Sequence, residues 1–230
     1  MDGHILKRSK CEKDIGVHID NELNFHEHIN KAVNKANRVM AVTRKTFSCL
    51  NNSTFLPIFK GLVRPQLEYA APVWSPHHLE LKRKIERVQR SATKRLPGMH
   101  DLHYDQRLRK LKLPTLAYRR IRGDMIQVFK LIMPIKKGAY DRSLPKLLDL
   151  KADLGIREVT GHDKQIYCTG NANKDIKKYG FNFRVSKLWN SLPQEVINAK
   201  TVKSFEIALD KHWADQPVLY DNFEAEIEIN

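Results

Sequence analysis

The sequence predicts a mainly α protein: a helical bundle preceded by a remnant N-terminal strand and followed by a smaller, irregular α+β extension. Three observations predict it. Apolar residues recur at helical spacing through most of residues 24–132. The two-residue period of a strand is confined to Ile15, Val17 and Ile19, alternating with Gly16 and His18. Beyond Met133-Pro134 the composition turns to Lys, Asp, Gly and Asn, and order returns only near Phe183. Five stretches follow: a strand remnant (1–22), a helical unit with basic faces (23–133), a loop-rich linker with short strands (134–180), a helical extension (181–215) and an acidic tail (216–230) expected to fray.

Taken in order, the strand around Asp14–Asp20 is too short to fold alone and has no evident partner strand. Asn24 is placed to cap a helix, with Glu27 closing a capping box. Ile29, Val33, Ala36, Met40, Phe47 and Leu50 form its apolar side, and Lys31, Lys35, Arg38 and Lys45 the opposite one. Ser53 is placed to cap a second helix carrying Phe55, Ile58, Phe59, Leu62 and Val63, which Pro65 should kink or end. Leu67, Tyr69, Ala70, Val73 and Trp74 read as buried. The clearest helix covers about Leu79–Leu96. Its apolar stripe is Leu81, Ile85, Val88, Ala92 and Leu96, and its basic stripe is Arg83, Arg87, Arg90 and Lys94. Pro97-Gly98 stops it. A short helix near Asp105–Leu111 precedes a longer one, Thr115–Ile132, with Arg119, Arg120 and Lys130 opposite Tyr118, Ile121, Met125, Val128 and Ile132. Later elements are a strand at Gln165–Cys168 and a helix near Ser204–Trp213.

Residues 82–130 hold 15 Lys and Arg against 4 Asp and Glu, a net of +11 within a chain total of +15. A single basic block of that size asks for a polyanionic partner. The chain has no run of about 18 apolar residues, so no transmembrane span is expected and a membrane is not counted among its partners. Three widely spaced cysteines (Cys11, Cys49, Cys168) suit a reducing, intracellular compartment, nuclear or cytoplasmic, rather than a disulfide framework or zinc knuckle.

Most catalytic signatures are absent. No phosphate-binding glycine loop and no G-x-S-x-G elbow occurs, and the sequence contains no Asp-Asp pair for two-metal chemistry. His26 and His28 on a helix start diverge by about 200° and cannot share a metal. The cysteines read as inert small residues. No cofactor or metal is expected in this chain. The ordinary alternative for any basic helix is a solvated surface. Here three helices pair an apolar stripe with a basic one and few acids intervene, which favours phosphate contacts. The nucleic-acid-binding candidates are therefore Lys31, Lys35, Arg38, Arg83, Arg87, Arg90, Lys94, Arg119 and Arg120. Tyr69, Trp74, Tyr104, Tyr118 and Trp189 are candidates for base stacking, with a core role favoured for the two tryptophans.

Several stretches together resemble the C-terminal part of jockey-like non-LTR retrotransposon reverse transcriptases. Asp14-Ile15-Gly16-Val17-His18-Ile19-Asp20 resembles the segment that closes the palm near the primer grip. Phe25-His26-Glu27-His28-Ile29 with Lys35-Ala36-Asn37-Arg38 resembles the first thumb helix. Leu62–Ala70 and Val73-Trp74-Ser75-Pro76 resemble the family's thumb signature, which Ile85–Lys94 and Tyr118–Met125 continue. Leu188-Trp189-Asn190-Ser191-Leu192-Pro193 is similar to the tail that follows. The likeness spans about residues 14–213. It departs at Thr160-Gly161-His162, where relatives often carry Thr-Arg-Gly-His.

The resemblance implies a thumb-like bundle and C-terminal extension of an RNA-directed DNA polymerase. The family's catalytic aromatic-x-Asp-Asp strand and its divalent metal belong to an upstream palm. A Met at the palm's edge is what a truncated element copy, or a gene model drawn on one, is expected to give. The expected partners are RNA, DNA or RNA–DNA duplex, together with an upstream palm-bearing polypeptide. The rival expectations are an inert retroelement remnant and a non-catalytic interaction module that turns its basic helices toward acidic proteins or lipid heads.

Overall fold

The computed structural model describes residues 9–47, 50–133, 148–156, 161–168 and 178–229. Much of the 134–180 linker, and Cys49, lie outside the described residues. The fold is mainly helical, with two small antiparallel sheets among the described residues. Among the described residues, no helix is long and apolar enough to cross a membrane.

The N-terminal strand is paired, contrary to expectation. Strands β1 (Cys11–Asp14) and β2 (Val17–Asp20) form a hairpin with Cys11 opposite Asp20 and Asp14 opposite Val17. The two turn residues, Ile15 and Gly16, have φ of 41° and 83°, the backbone that a two-residue hairpin turn requires. Every residue of β1 is polar or small, so no apolar alternation announces it. Asp20 then does the work assigned to Asn24. Its carboxylate accepts the N–H groups of Asn24 (2.9 Å) and Phe25 (2.6 Å) at the start of α1 (His26–Thr46). Asn24 instead donates to Glu22, and Glu27 pairs with Lys31 rather than closing a capping box.

α1 buries Ile29, Val33, Ala36 and Met40 as its spacing predicts, and ends four residues before Leu50. Asn51, not Ser53, caps α2 (Asn52–Ile58), its Oδ1 accepting the Thr54 N–H at 2.9 Å. Pro65 does not end the helix. A π-helical turn over Phe59–Val63 leads directly into α3 (Arg64–Glu68), and the Arg64 N–H reaches back five residues to the Phe59 carbonyl. The widened turn accommodates a ring that would strike the carbonyl four residues back in a regular helix. After α4 (Ala71–Trp74), α5 (Leu79–Lys94) lies beside α1 and runs the same way. Lys84 bonds Asn30 near the two starts, and Arg95 lies beside Arg44 near the two ends.

α6 (Tyr104–Leu111) and α7 (Leu116–Ile132) follow, with Thr115 capping α7. The packing divides at that cap. One core extends from Val17 to Leu116, and a second begins at Ala117 and reaches Ile227. α7, grouped by sequence with the preceding helices, thus shares its core with the extension. That extension holds β3 (Asp149–Leu150) paired with β4 (Ile166–Tyr167), then α8 (Phe181–Asn190), α9 (Gln194–Ile197) and α10 (Val202–His212). Trp189 and Asn190 clasp the β4 segment: the indole N–H donates to the Lys164 carbonyl (2.8 Å), and the Asn190 amide bonds both N and O of Ile166. His162 is buried, with Nε2 2.9 Å from the Trp189 carbonyl.

The acidic tail is folded rather than frayed. It forms α11 (Pro217–Tyr220), buries Val218 and Ile227, and is anchored where Thr115 N–H donates to the Leu219 carbonyl (2.9 Å) and Thr115 Oγ1 to the Val218 carbonyl (2.6 Å).

Glu86 on α5 sits at the junction of the two cores, 1% exposed. Its carboxylate accepts the Tyr104 hydroxyl (2.6 Å) and the Leu116 N–H (3.0 Å) at the α7 N-terminus. Glu86→Ala would strand both donors, at a cost of about 2–4 kcal/mol readable by urea unfolding. Burial raises this carboxyl above its ordinary value of 4.5, against the Tyr104 bond and the Arg120 charge that pull it down. The folded chain therefore holds the proton more tightly than the unfolded chain. The resulting stabilisation is complete below pH 4.5 and is lost as pH rises through the folded value. Glu86→Gln removes that titration, so its stability relative to wild type should climb as pH rises from 4.5 through the folded value. A constant difference across that range would contradict the assignment.

Candidate nucleic-acid interface

The structure sorts the nine basic candidates into three places. Those on α7 are interior or paired. Arg119 forms a two-pronged ion pair with Glu68. Arg120 is 4% exposed, among the charges of Glu86, Glu68 and Asp124, and its Nη1 meets no hydrogen-bond partner among the described residues. Burial lowers its guanidinium's pKa, and those carboxylates oppose the shift. Neither side chain is free to face a duplex. A helix with one apolar stripe should expose the other side, but α7 lies between two cores and is covered on both. Its neighbours Arg122 and Arg184 likewise hold Asp210 (2.5 Å) and Asp124 (2.8 Å).

The α5 stripe is exposed as expected: Arg83, Arg87, Arg90 and Lys94 all reach the surface. The opposite side of the helix is buried by polar residues as well as apolar ones, including Glu86, Gln89 and Thr93. The C-terminal tail, however, lies along this ridge. Glu224 grips Arg83 with two bonds (2.7 and 3.2 Å), and on the adjoining α6 Asp221 grips Arg109 (2.5 Å). The Arg90 guanidinium lies 4.8 Å from the Tyr104 ring centroid and 5.5 Å from that of Phe223. Arg87 and Lys94 make no ion pair among the described residues.

On α1, Lys31, Lys35 and Arg38 share one side, at i, i+4 and i+7. Lys31 and Lys35 border a cleft of about 460 Å³ between the hairpin, α1 and α3. Lys13, His18, His28 and Tyr69 also line it, and among the described residues no carboxylate does. Tyr69 is 53% exposed and donates its hydroxyl to the Ile15 carbonyl (2.8 Å) at the hairpin tip. A Cβ on Gly16 would come within 3.2 Å of the Tyr69 ring, so tip and ring approach closely. Burial lowers the pKa of His28, and the His18 charge adds to the shift. Of the five aromatic candidates, Trp74, Tyr118 and Trp189 are interior and Tyr104 is committed to Glu86, which leaves Tyr69. Lys13 escaped the sequence reading because β1 did. The lysines supply backbone charge and the tyrosine an apolar face, the pair of contacts a nucleic-acid strand uses.

No family model and no solved structure matches the chain. It is similar to an uncharacterized protein of Caenorhabditis elegans, B0403.1, with 24% identity over 130 residues, 55% of this chain. The match spans 64% of that protein's length.

The tail's position gives a direct expectation. Glu224→Gln frees Arg83 from an exposed ion pair, which solvent screening keeps weak. Affinity for an RNA–DNA duplex, read by fluorescence anisotropy, should therefore rise up to about fivefold. Unchanged or weaker binding would place the ridge outside the interface.

Proposed function

We propose that this chain is a thumb-like fragment of a jockey-like non-LTR retrotransposon reverse transcriptase that grips the backbone of a template–primer duplex without polymerase chemistry of its own. The observation that carries the reading is the cleft between the hairpin and α1. Its walls come from the two segments that resemble the primer-grip edge and the first thumb helix. Its lining is basic and free of carboxylates, with one outward aromatic ring. Phosphate contacts of this kind bind without reading sequence. Two-metal nucleotidyl transfer requires paired carboxylates, and this sequence has no Asp-Asp pair.

A second reading has its own support. The basic surface of α5 and α6 already takes carboxylates of the same chain, Glu224 on Arg83 and Asp221 on Arg109. That is the chemistry by which a basic helix would receive an acidic protein partner.

Salt titration of duplex binding separates the two. Under the first reading, log K falls steeply with log salt, and Lys13→Ala, Lys35→Ala and Arg38→Ala together lower the slope by about 2–3. Helicity by circular dichroism should be unchanged, because all three side chains are exposed. A slope unaffected by the triple substitution sinks the cleft assignment. Full displacement of the duplex by a short acidic peptide at equal charge concentration favours the second reading.

A further inference from the structure

The hairpin and the first turn of α1 bring together three side chains that lie apart in sequence. Ligand atoms of Cys11, His18 and Glu27 all lie within 4.8 Å of one another. The register explains the convergence. Lys13 stands opposite His18, and Cys11 lies two residues from Lys13, so Cys11 and His18 share one face of the hairpin. Glu27, in the first turn of α1, meets that face. A cation already occupies the group: the Lys31 ammonium lies 2.6 Å from Glu27 and 3.4 Å from each ring nitrogen of His18. The backbone at His18 is held in turn, its N–H donating to His28 Nδ1 at 3.3 Å.

We propose that Cys11, His18 and Glu27 form a site for a thiophilic divalent cation of the zinc type, which takes the place of the Lys31 ammonium. Sulfur, imidazole nitrogen and carboxylate oxygen are the donor set of a borderline-soft metal, and three of them leave a fourth tetrahedral position for water. A thiolate and a carboxylate balance the two positive charges of the metal. Binding forms the sulfur–metal bond, breaks the thiol S–H and releases that proton to solvent. The metal then repels the ammonium, and Lys31 turns outward. The hairpin becomes fastened to α1, which fixes one wall of the basic cleft.

The test is cobalt(II) titration of the full chain with Cys49 and Cys168 replaced by Ser, followed by zinc competition. The expected result is a near-ultraviolet thiolate-to-cobalt charge-transfer band with visible bands of tetrahedral intensity. Cys11→Ser should abolish the charge-transfer band. His18→Ala and Glu27→Gln should each weaken binding at least about tenfold. Lys31→Ala should tighten it, because it removes the competing ammonium, and this variant keeps the ligands intact should the others disturb the hairpin. A charge-transfer band that survives Cys11→Ser, or a Lys31→Ala affinity no tighter than that of the parent, overturns the site.

Discussion

The Glu86 carboxylate holds the place where the two cores meet. Leu116, whose N–H it accepts, closes the first core, and Ala117 opens the second. The Tyr104 hydroxyl brings α6 to the same point, and Gln89, one turn further along α5, bonds the Pro114 carbonyl at 3.0 Å. A buried charge survives only where donors meet it, and here the donors come from α6 and from the α7 N-terminus. The orientation of α5 follows. With Glu86, Gln89 and Thr93 tied inward, Arg83, Arg87, Arg90 and Lys94 are turned to the outer side of the helix. The ridge that gives the chain its charge is set by a polar contact on its other side.

What sequence periodicity carried was the helices with one covered face. α1 and α5 lie where their apolar spacing puts them, because burial on one side writes a 3.6-residue period into the chain. The misses have equally physical sources. β1 (Cys-Glu-Lys-Asp) has one face on solvent and the other against the start of α1, so no apolar alternation marks it. The α1 start depends on Asp20, a contact across a turn that local capping rules do not reach. Pro65 is accommodated by a π turn whose existence no residue type signals. The tail reads as acidic and frayed, yet it buries Val218 and Ile227 and is bonded at Thr115.

The site was legible in its charge and less so in its geometry. Counting lysines and arginines finds the basic block, but the count treats all of them as outward. Arg119, Arg122 and Arg184 instead knit α7 to its neighbours through Glu68, Asp210 and Asp124, and Arg120 is buried. Lys13 and Tyr69, by contrast, gain their meaning only when the hairpin folds against α1 and α3. The same holds for Cys11, His18 and Glu27, which come from both strands of the hairpin and the helix after it. Helical neighbours alone, such as His26 and His28, could not have met.

Were the proposed duplex to bind, the tail along α5 and α6 would also alter how many small ions are set free. A bare arginine draws in a mobile anion, and a phosphate that arrives there expels it along with its own condensed cation. Arg83 and Arg109 carry tethered carboxylates instead. A phosphate displacing Glu224 exchanges one fixed anion for another, and the released glutamate then recruits a cation from solution. Each such exchange is nearly neutral in free ions. Under the proposed duplex binding, the chain would make more phosphate contacts than its ionic-strength dependence would count, and the difference would measure how far the tail is lifted away.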